Sequence, residues 1–326
     1  FLLPDNKRVA QQILITPDRL MGAKDAQMAV VHITEHPEQW RQPIGEVVEI
    51  LGDHLAPGMA TDVAIRAHDI PLDWPDAVEG EIAALKPEVP EAAKKGRADL
   101  RKTPLVTIDG ADARDFDDAV FCERTKKGWR LLVAIADVSS YVVPGTALDD
   151  EAYKRGTSVY FPDRVIPMLP EVLSNGLCSL NPQVDRLCMT AELYFDTEGN
   201  LFRSRFFEAV MNSHARLTYD QVGAILLDGD AELCAKHAGL LPHLHELYDL
   251  YKLLHEARAE RGAIDFDTVE TRFRFDDQGR LDAIVPLQRH DAHKVIEECM
   301  LAANVAAARH LLRRKMPALY RIHEKP

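Results

Sequence analysis

Thr107-Ile108-Asp109-Gly110-Ala111-Asp112-Ala113-Arg114-Asp115-Phe116-Asp117-Asp118-Ala119 sets five aspartates within ten residues, between apolar, strand-like flanks. Crowding carboxylates costs repulsion and desolvation unless a cation compensates. Oxygen-only donors select hard cations, so the stretch points to Mg²⁺, or Mn²⁺ as a substitute, over zinc. If residues 115–117 are extended, Asp115 and Asp117 project to one side and Phe116 to the other. Asp118 then needs a local turn or a different metal to join them. Asp109 reaches in from the preceding strand end across Gly110. Such a site suits phosphoryl chemistry, in which two metals activate a water and stabilise the leaving oxygen. A calcium-stabilised loop or an acidic surface turn remains open from the residues alone. An EF-hand does not: counted from Asp109 or Asp115, the sixth position is not Gly and the twelfth is not Glu.

Outward from this stretch, the chain divides by pattern. Residues 1–72 carry short β-rich runs at 9–15, 27–33 and 44–50, separated by turn residues, and read as a small OB-like β-barrel segment. Residues 73–100 hold Pro75, Pro87 and Pro90 in an Ala/Glu/Lys-rich background and read as a linker with short helices and solvated charges. Residues 101–326 mix strands and helices. Thr103–Ile108 and Trp129–Ala136 are strand candidates. Thr218 with Gln221 makes a capping box that opens a helix at Tyr219. Residues 240–261 have helical periodicity through Leu244, Leu247, Tyr251 and Leu254. Residues 269–275 and 281–285 form a hairpin about Asp276–Gly279. A long helix runs over 291–314, with Asp291 as its N-cap.

The 326 residues suffice for about two domains of ~100–200 residues each. No run reaches the ~18 consecutive apolar residues of a membrane span. Five cysteines, an odd number without a C-x-x-C pair, argue against a disulfide framework and a structural zinc site, and for reduced thiols in a cytoplasmic protein. The net charge of −13 is an objection to nucleic-acid binding. It is softened by metal neutralisation of clustered carboxylates and by the basic clumps 94–97, 101–102 and 313–315. Each clump taken singly reads as a solvated face.

The aspartate stretch resembles the signature of the ribonuclease II superfamily. So, in order, do Val133–Ser139, Arg155–Pro162, Pro167–Pro170, Leu173–Leu180 and Ala292–Met300. The β-rich start resembles the end of the cold-shock domain that precedes this family's catalytic domain. The resemblance implies an α+β fold, with a mixed catalytic domain of the RNB type after a cold-shock-like β segment. It also implies a monomeric, processive exoribonuclease. Such an enzyme engages the 3′ end of single-stranded RNA, works 3′ to 5′ and releases nucleoside 5′-monophosphates. By likeness, Asp109, Asp115 and Asp118 hold Mg²⁺ and the scissile phosphate. Asp117 is most critical to hydrolysis, through a second metal or the attacking water. Arg114 positions a carboxylate or phosphate, set against a plain solvent-facing arginine. Tyr160 and Phe266, which read as core residues on their own, match an aromatic clamp that stacks on bases of any identity. Of Glu297 and Glu298, the second is the better match to a carboxylate that contacts ribose. His290 and His293 read as helix-start residues rather than ligands. The family's catalytic domain runs past Pro326 and an earlier cold-shock domain precedes it, so the chain is expected to be incomplete at both ends and weakly active in isolation. The rivals are an RNA-binding pseudoenzyme of the same fold, an unrelated small-phosphoester phosphatase and a calcium staple.

Overall fold

The computed structural model describes residues 1–38, 41–263, 270–287 and 290–322. In chain order, β1 (Leu14–Ile15), β2 (Gln27–Glu35), β3 (Ile44–Asp53) and α1 (Met59–Ala67) come first. Helices α2 (Asp76–Ile82) and α3 (Glu91–Lys94) lead to β4 (Ala98–Asp99), β5 (Val106–Asp109), β6 (Asp118–Thr125) and β7 (Gly128–Ala136). Next are α4 (Ala147–Arg155), β8 (Val159–Tyr160), β9 (Val165–Ile166), β10 (Asp185–Phe195), β11 (Leu201–Asn212) and β12 (Ala215–Thr218). Helices α5 (Tyr219–Gly223), α6 (Ala231–Lys236) and α7 (Leu241–Glu260), strands β13 (Glu270–Phe275) and β14 (Leu281–Leu287), and α8 (Asp291–Arg313) complete the order.

Two compact units result. The first contains residues 1–74, 157–166 and 271–286. Its three-stranded sheet has the order β1-β3-β2, with Ile13, Ile15 and Val47 buried. The strand expected over residues 9–15 is realised only at Leu14–Ile15, the two residues that pair with Ile44 and Gly45 of β3. The expected all-strand character of residues 1–72 is corrected by α1, which buries Met59, Thr61 and Ile65. The β8–β9 hairpin belongs to this unit and is pinned to α1. Thr61 donates to Asp163 (2.7 Å) and Arg164 to Asp62 (2.9 Å).

The second unit is built on a seven-stranded sheet, β12-β5-β6-β7-β10-β11-β4. One face carries Val106, Ile108, Val120, Leu131, Val133 and Leu193 against Leu244, Leu247, Tyr251 and Leu254 of α7 and Val295, Ile296 and Cys299 of α8. The helical periodicity read for residues 240–261 is therefore the stripe that covers the sheet. At the β6–β7 turn, Gly128 has φ 137°, and a Cβ there would lie 2.1 Å from the Phe195 carbonyl oxygen, so only glycine fits.

Residues 73–100 are not a solvated linker. Val78 and Val89 are buried, and Ala98–Asp99 extends the sheet edge by pairing with β11. Both oxygens of Glu81 accept the Ala147 and Leu148 amides (2.9 and 3.0 Å) at the start of α4, where orphan donors need an acceptor. Lys94 pairs with Asp185 at 2.7 Å, and Arg97 is a buried partner of Asp137 at 2.7 Å. Their charges were read as solvated because the acidic partners lie far along the chain. The N-cap of α8 is His290, not Asp291, whose carboxylate instead accepts from Tyr248 (2.8 Å). All five cysteines are free thiols.

Candidate active site

Asp109 ends β5 and Asp118 begins β6, and these strands are antiparallel neighbours, with Val106 opposite Val120. Neighbouring strand ends therefore bring the two aspartates together, and the intervening loop carries the rest. Its turn is closed by Ala113 N–H donating to the Gly110 carbonyl (3.2 Å) and by Gly110 N–H donating to Asp109 Oδ1 (2.7 Å). Phe116 is the anchor. It is 2% exposed, its amide donates to Ser179 Oγ (2.9 Å), and its carbonyl accepts from Leu180 N–H (2.8 Å). With Phe116 inward, Asp117 lies on the open side and Asp115 is half-buried, the alternation expected of an extended segment. The Asp117 carbonyl accepts from Ala136 N–H (2.8 Å), which fixes the backbone where β6 begins. Arg216 reaches the same loop from β12. Its Nη2 donates to the carbonyls of Ala113 (2.8 Å) and Ala111 (3.3 Å), and its guanidinium lies 4.5 Å from the Phe116 ring centroid.

The electrostatics are those of a cation-deficient cluster. Burial raises the Asp109 carboxyl, and nearby Asp115 and Asp112 raise it further, against the opposing Gly110 amide and Arg216. Asp117 is raised by burial and then by Asp115 and Asp109. Asp118 is pushed up to about 6, first by burial and then by Asp109 and Asp117. Its Oδ2 is buried without a hydrogen-bond partner among the described residues. An unsatisfied buried carboxylate oxygen is costly, and a divalent cation with oxygen preference would satisfy it. Among the described residues, no three acidic, imidazole or thiol side chains stand as a group that could hold a metal ion. The carboxylates share a neighbourhood rather than a completed cage, in keeping with their mutual repulsion. The donor set fits Mg²⁺ or Mn²⁺.

The raised Asp118 has a consequence for stability. Below its ordinary value of 3.8 it is protonated in both folded and unfolded chains. Between there and about 6 the unfolded chain gives up the proton first, so stability falls as pH rises through that window and stays lower above it. The penalty is on the order of 3 kcal/mol. Asp118→Asn is therefore expected to raise the melting temperature of the metal-free chain at pH 7.5 and to flatten its decline between pH 4 and 6. Thermal melts in chelator across that range test this. An unchanged slope in the variant would place the effect on another group.

The remaining expected site residues fall out differently. The Arg114 side chain is exposed, while its carbonyl accepts from Ser179 Oγ (3.2 Å). Tyr160 is 65% exposed on the β8–β9 hairpin of the first unit, which corrects its reading as a core residue. Phe266 lies outside the described residues. Glu298 is only 6% exposed and accepts from Arg258 Nη1 (2.8 Å), which also donates to Glu297 (3.1 Å). The expected ribose contact would require that pair to open. His290 and His293 do serve the helix start: His290 N–H is directed at His293 Nδ1 (3.4 Å).

Three residues at the site went unread in the sequence. Ser179 ties down the loop from inside a segment that carried family likeness but no obvious chemistry. Arg216 stands in the short strand β12 with no local signal in its neighbours. Tyr219 was read only as the first residue of a helix. The capping box is present, with Gln221 N–H on Thr218 Oγ1 at 3.1 Å. Because β12 runs parallel to β5 with Thr218 opposite Asp109, Tyr219 emerges beside the carboxylates. Its hydroxyl is pushed up to about 12 by burial and then by Asp109 and Asp118, and its ring stacks on His293 at 4.1 Å.

Residues 97–326 match the RNB domain, and residues 1–75 match a cold shock domain. Over its whole length the chain is 58% identical to Ribonuclease R of Escherichia coli (strain K12), of which it covers 40%. The chain thus spans about two fifths of the length of the curated relatives it matches. It resembles the structure of Mycoplasma genitalium RNase R in complex with ribose methylated single-stranded RNA, with a TM-score of 0.87 and 29% identity, covering 97% of this chain and 49% of that one. Yeast Ssd1, a pseudonuclease, gives a TM-score of 0.66 at 17% identity over 96% of this chain and 39% of its own, a likeness of fold alone.

Proposed function

Given that the chain belongs to the ribonuclease II superfamily, with an RNB domain over residues 97–326, we propose that it carries the hydrolytic centre of a 3′-to-5′ exoribonuclease. The substrate is single-stranded RNA, degraded processively to nucleoside 5′-monophosphates by a monomeric enzyme. The observation that carries this reading is the convergence of Asp109, Asp117 and Asp118, each raised by burial and by its acidic neighbours, with one Asp118 oxygen left unsatisfied. Asp109, Asp115 and Asp118 would hold Mg²⁺, or Mn²⁺ in its place. A bound divalent cation supplies Lewis acidity toward a phosphate oxygen and toward water. Asp117, on the open side of the loop, orients the attacking water or completes a second ion's ligands. Arg114, exposed beside Asp115, would position a carboxylate or a phosphate.

Grip on the RNA falls to aromatic side chains, because stacking holds any base without reading sequence. Tyr160 takes this role, and so does Phe266. Glu298 meets a ribose hydroxyl if Arg258 releases it. Stacking is worth ~1–3 kcal/mol per base, so Tyr160→Ala is expected to weaken 3′-end binding by roughly 5- to 150-fold and to change the length of the shortest product. Product lengths on a sequencing gel check this, and unaltered lengths would remove Tyr160 from the clamp.

The direct test uses 5′-labelled single-stranded RNA with Mg²⁺ and an Asp117→Asn control. The expected result is loss of full-length RNA to a short labelled end product, absent in the control. RNA that stays intact although tightly bound, in a chain extended past Pro326 as well, would replace the enzyme with an RNA-binding pseudoenzyme.

A further inference from the structure

We propose that Arg216 is a positioning residue for the aspartate loop, holding the Ala111 and Ala113 carbonyls so that the carboxylates keep a common orientation toward a divalent cation. This rests on the metal reading above and goes beyond it, since the residue is not itself a ligand.

Apart from Arg114 and Phe116 the loop is made of glycine, alanine and aspartate, with no large apolar side chain to pin its near end. Phe116 fixes its far end through Ser179 and Leu180. The near end, on both sides of Asp112, finds a donor in Arg216 Nη2, at 2.8 Å to Ala113 and 3.3 Å to Ala111. The same guanidinium covers the Phe116 ring at 4.5 Å, so one side chain joins both ends of the loop. A planar, delocalised guanidinium donates in its own plane while its face lies over a ring, a geometry that a lysine ammonium does not reproduce.

Position in the fold separates this role from core packing. Arg216 sits opposite Thr107 in the β12–β5 pairing and is exposed, whereas its neighbour Leu217 is 1% exposed and supplies the packing. Replacing Arg216 leaves the hydrophobic cluster intact.

The sign of the effect makes the role testable. A fixed positive charge beside carboxylates repels an incoming cation. If charge were its only effect, neutralising Arg216 would tighten metal binding. If Arg216 orders the loop, neutralising it loosens metal binding, because the ion must then pin the loop itself.

The experiment measures Mn²⁺ binding to the full chain by electron paramagnetic resonance of the free ion, for the unaltered protein, Arg216→Met, Arg216→Lys and Asp118→Asn. Melting curves confirm folding. Loss of a charge-assisted hydrogen bond predicts about tenfold weaker Mn²⁺ binding in both Arg216 variants. The lysine variant, which keeps the charge, discriminates most sharply and carries the test alone if the methionine variant does not fold. Unchanged or tighter Mn²⁺ binding in a folded Arg216 variant overturns the proposal, including the case where only the KM for RNA rises, which would make Arg216 a phosphate contact. Absence of Mn²⁺ binding by the unaltered protein, or unchanged binding by Asp118→Asn, overturns the metal reading and this inference with it.

Discussion

Replacing Asp117 by asparagine is expected to slow RNA hydrolysis by roughly 10²–10⁴-fold, the range over which a positioned proton acceptor contributes. RNA affinity should change little. Asparagine keeps the shape of the side chain but removes the charge needed to orient a water or complete a metal's ligands. The substitution should not disturb the fold. Asp117 lies on the open side of the loop, and its structural bond is made by its main-chain carbonyl to Ala136 N–H at 2.8 Å, which any residue retains. Its own carboxyl is raised by burial and by Asp115 and Asp109, so neutralising it relieves repulsion rather than breaking a pair. Single-turnover degradation and equilibrium binding of the same labelled RNA separate the two effects. A variant that still degrades RNA at a tenth or more of the normal rate would sink the assignment. One that loses binding and hydrolysis together would make Asp117 a substrate contact first.

The largest loss of stability is expected from Asp137→Ala, in the second unit. Asp137 is 5% exposed and pairs with Arg97 at 2.7 Å, and it accepts from Ser139 Oγ (2.6 Å) and Ser140 Oγ (2.7 Å). Burial by itself would raise its carboxyl, but the two hydroxyls and the guanidinium outweigh that and hold it below the usual value. Arg97 gives its Nε–H to the Ala93 carbonyl (3.1 Å), while its Nη1 is buried without a partner among the described residues. Removing Asp137 leaves the nearly buried Arg97 guanidinium with only the Ser140 hydroxyl at 2.7 Å and the exposed Glu208 carboxylate at 4.0 Å. Breaking one side of a buried pair costs ~3–5 kcal/mol, which for a domain of this size lowers the melting temperature by roughly 6–20 °C. The double variant Asp137→Leu with Arg97→Met should recover much of this, because it removes both charges together. Thermal and urea unfolding of the three proteins test the claim. A loss below ~1 kcal/mol in Asp137→Ala would mean that water reaches the pair.

These two sites show how differently the sequence exposes clustered charges and a long-range pair. Asp109, Asp115, Asp117 and Asp118 are close in sequence, so their repulsion, and hence their need for a cation, is readable from spacing. Arg97 and Asp137 are forty positions apart, and nothing local distinguishes a buried arginine from one on a solvated face. The ion pair of Glu298 is hidden from the sequence for the same reason. Its partner Arg258 lies forty residues earlier, on another helix.

What the sequence determined by itself was much of what has its cause within a few residues, though not the helix α1 or the cap of α8. The β5 and β7 strands, the capping box at Thr218, the apolar stripe of α7 and the aspartate stretch were all readable, because strand alternation, helix periodicity and capping are near-neighbour effects. Only the tertiary structure decided which distant groups meet those elements. The sheet order sets β12 beside β5, and that single adjacency brings Arg216 to carbonyls 103 and 105 residues away and places Tyr219 next to Asp109 and Asp118. Strand order is chosen by the burial of whole faces, through Leu193, Val133, Ile108 and the helices that cover them. Polar contacts that follow from that order leave no mark on local pattern.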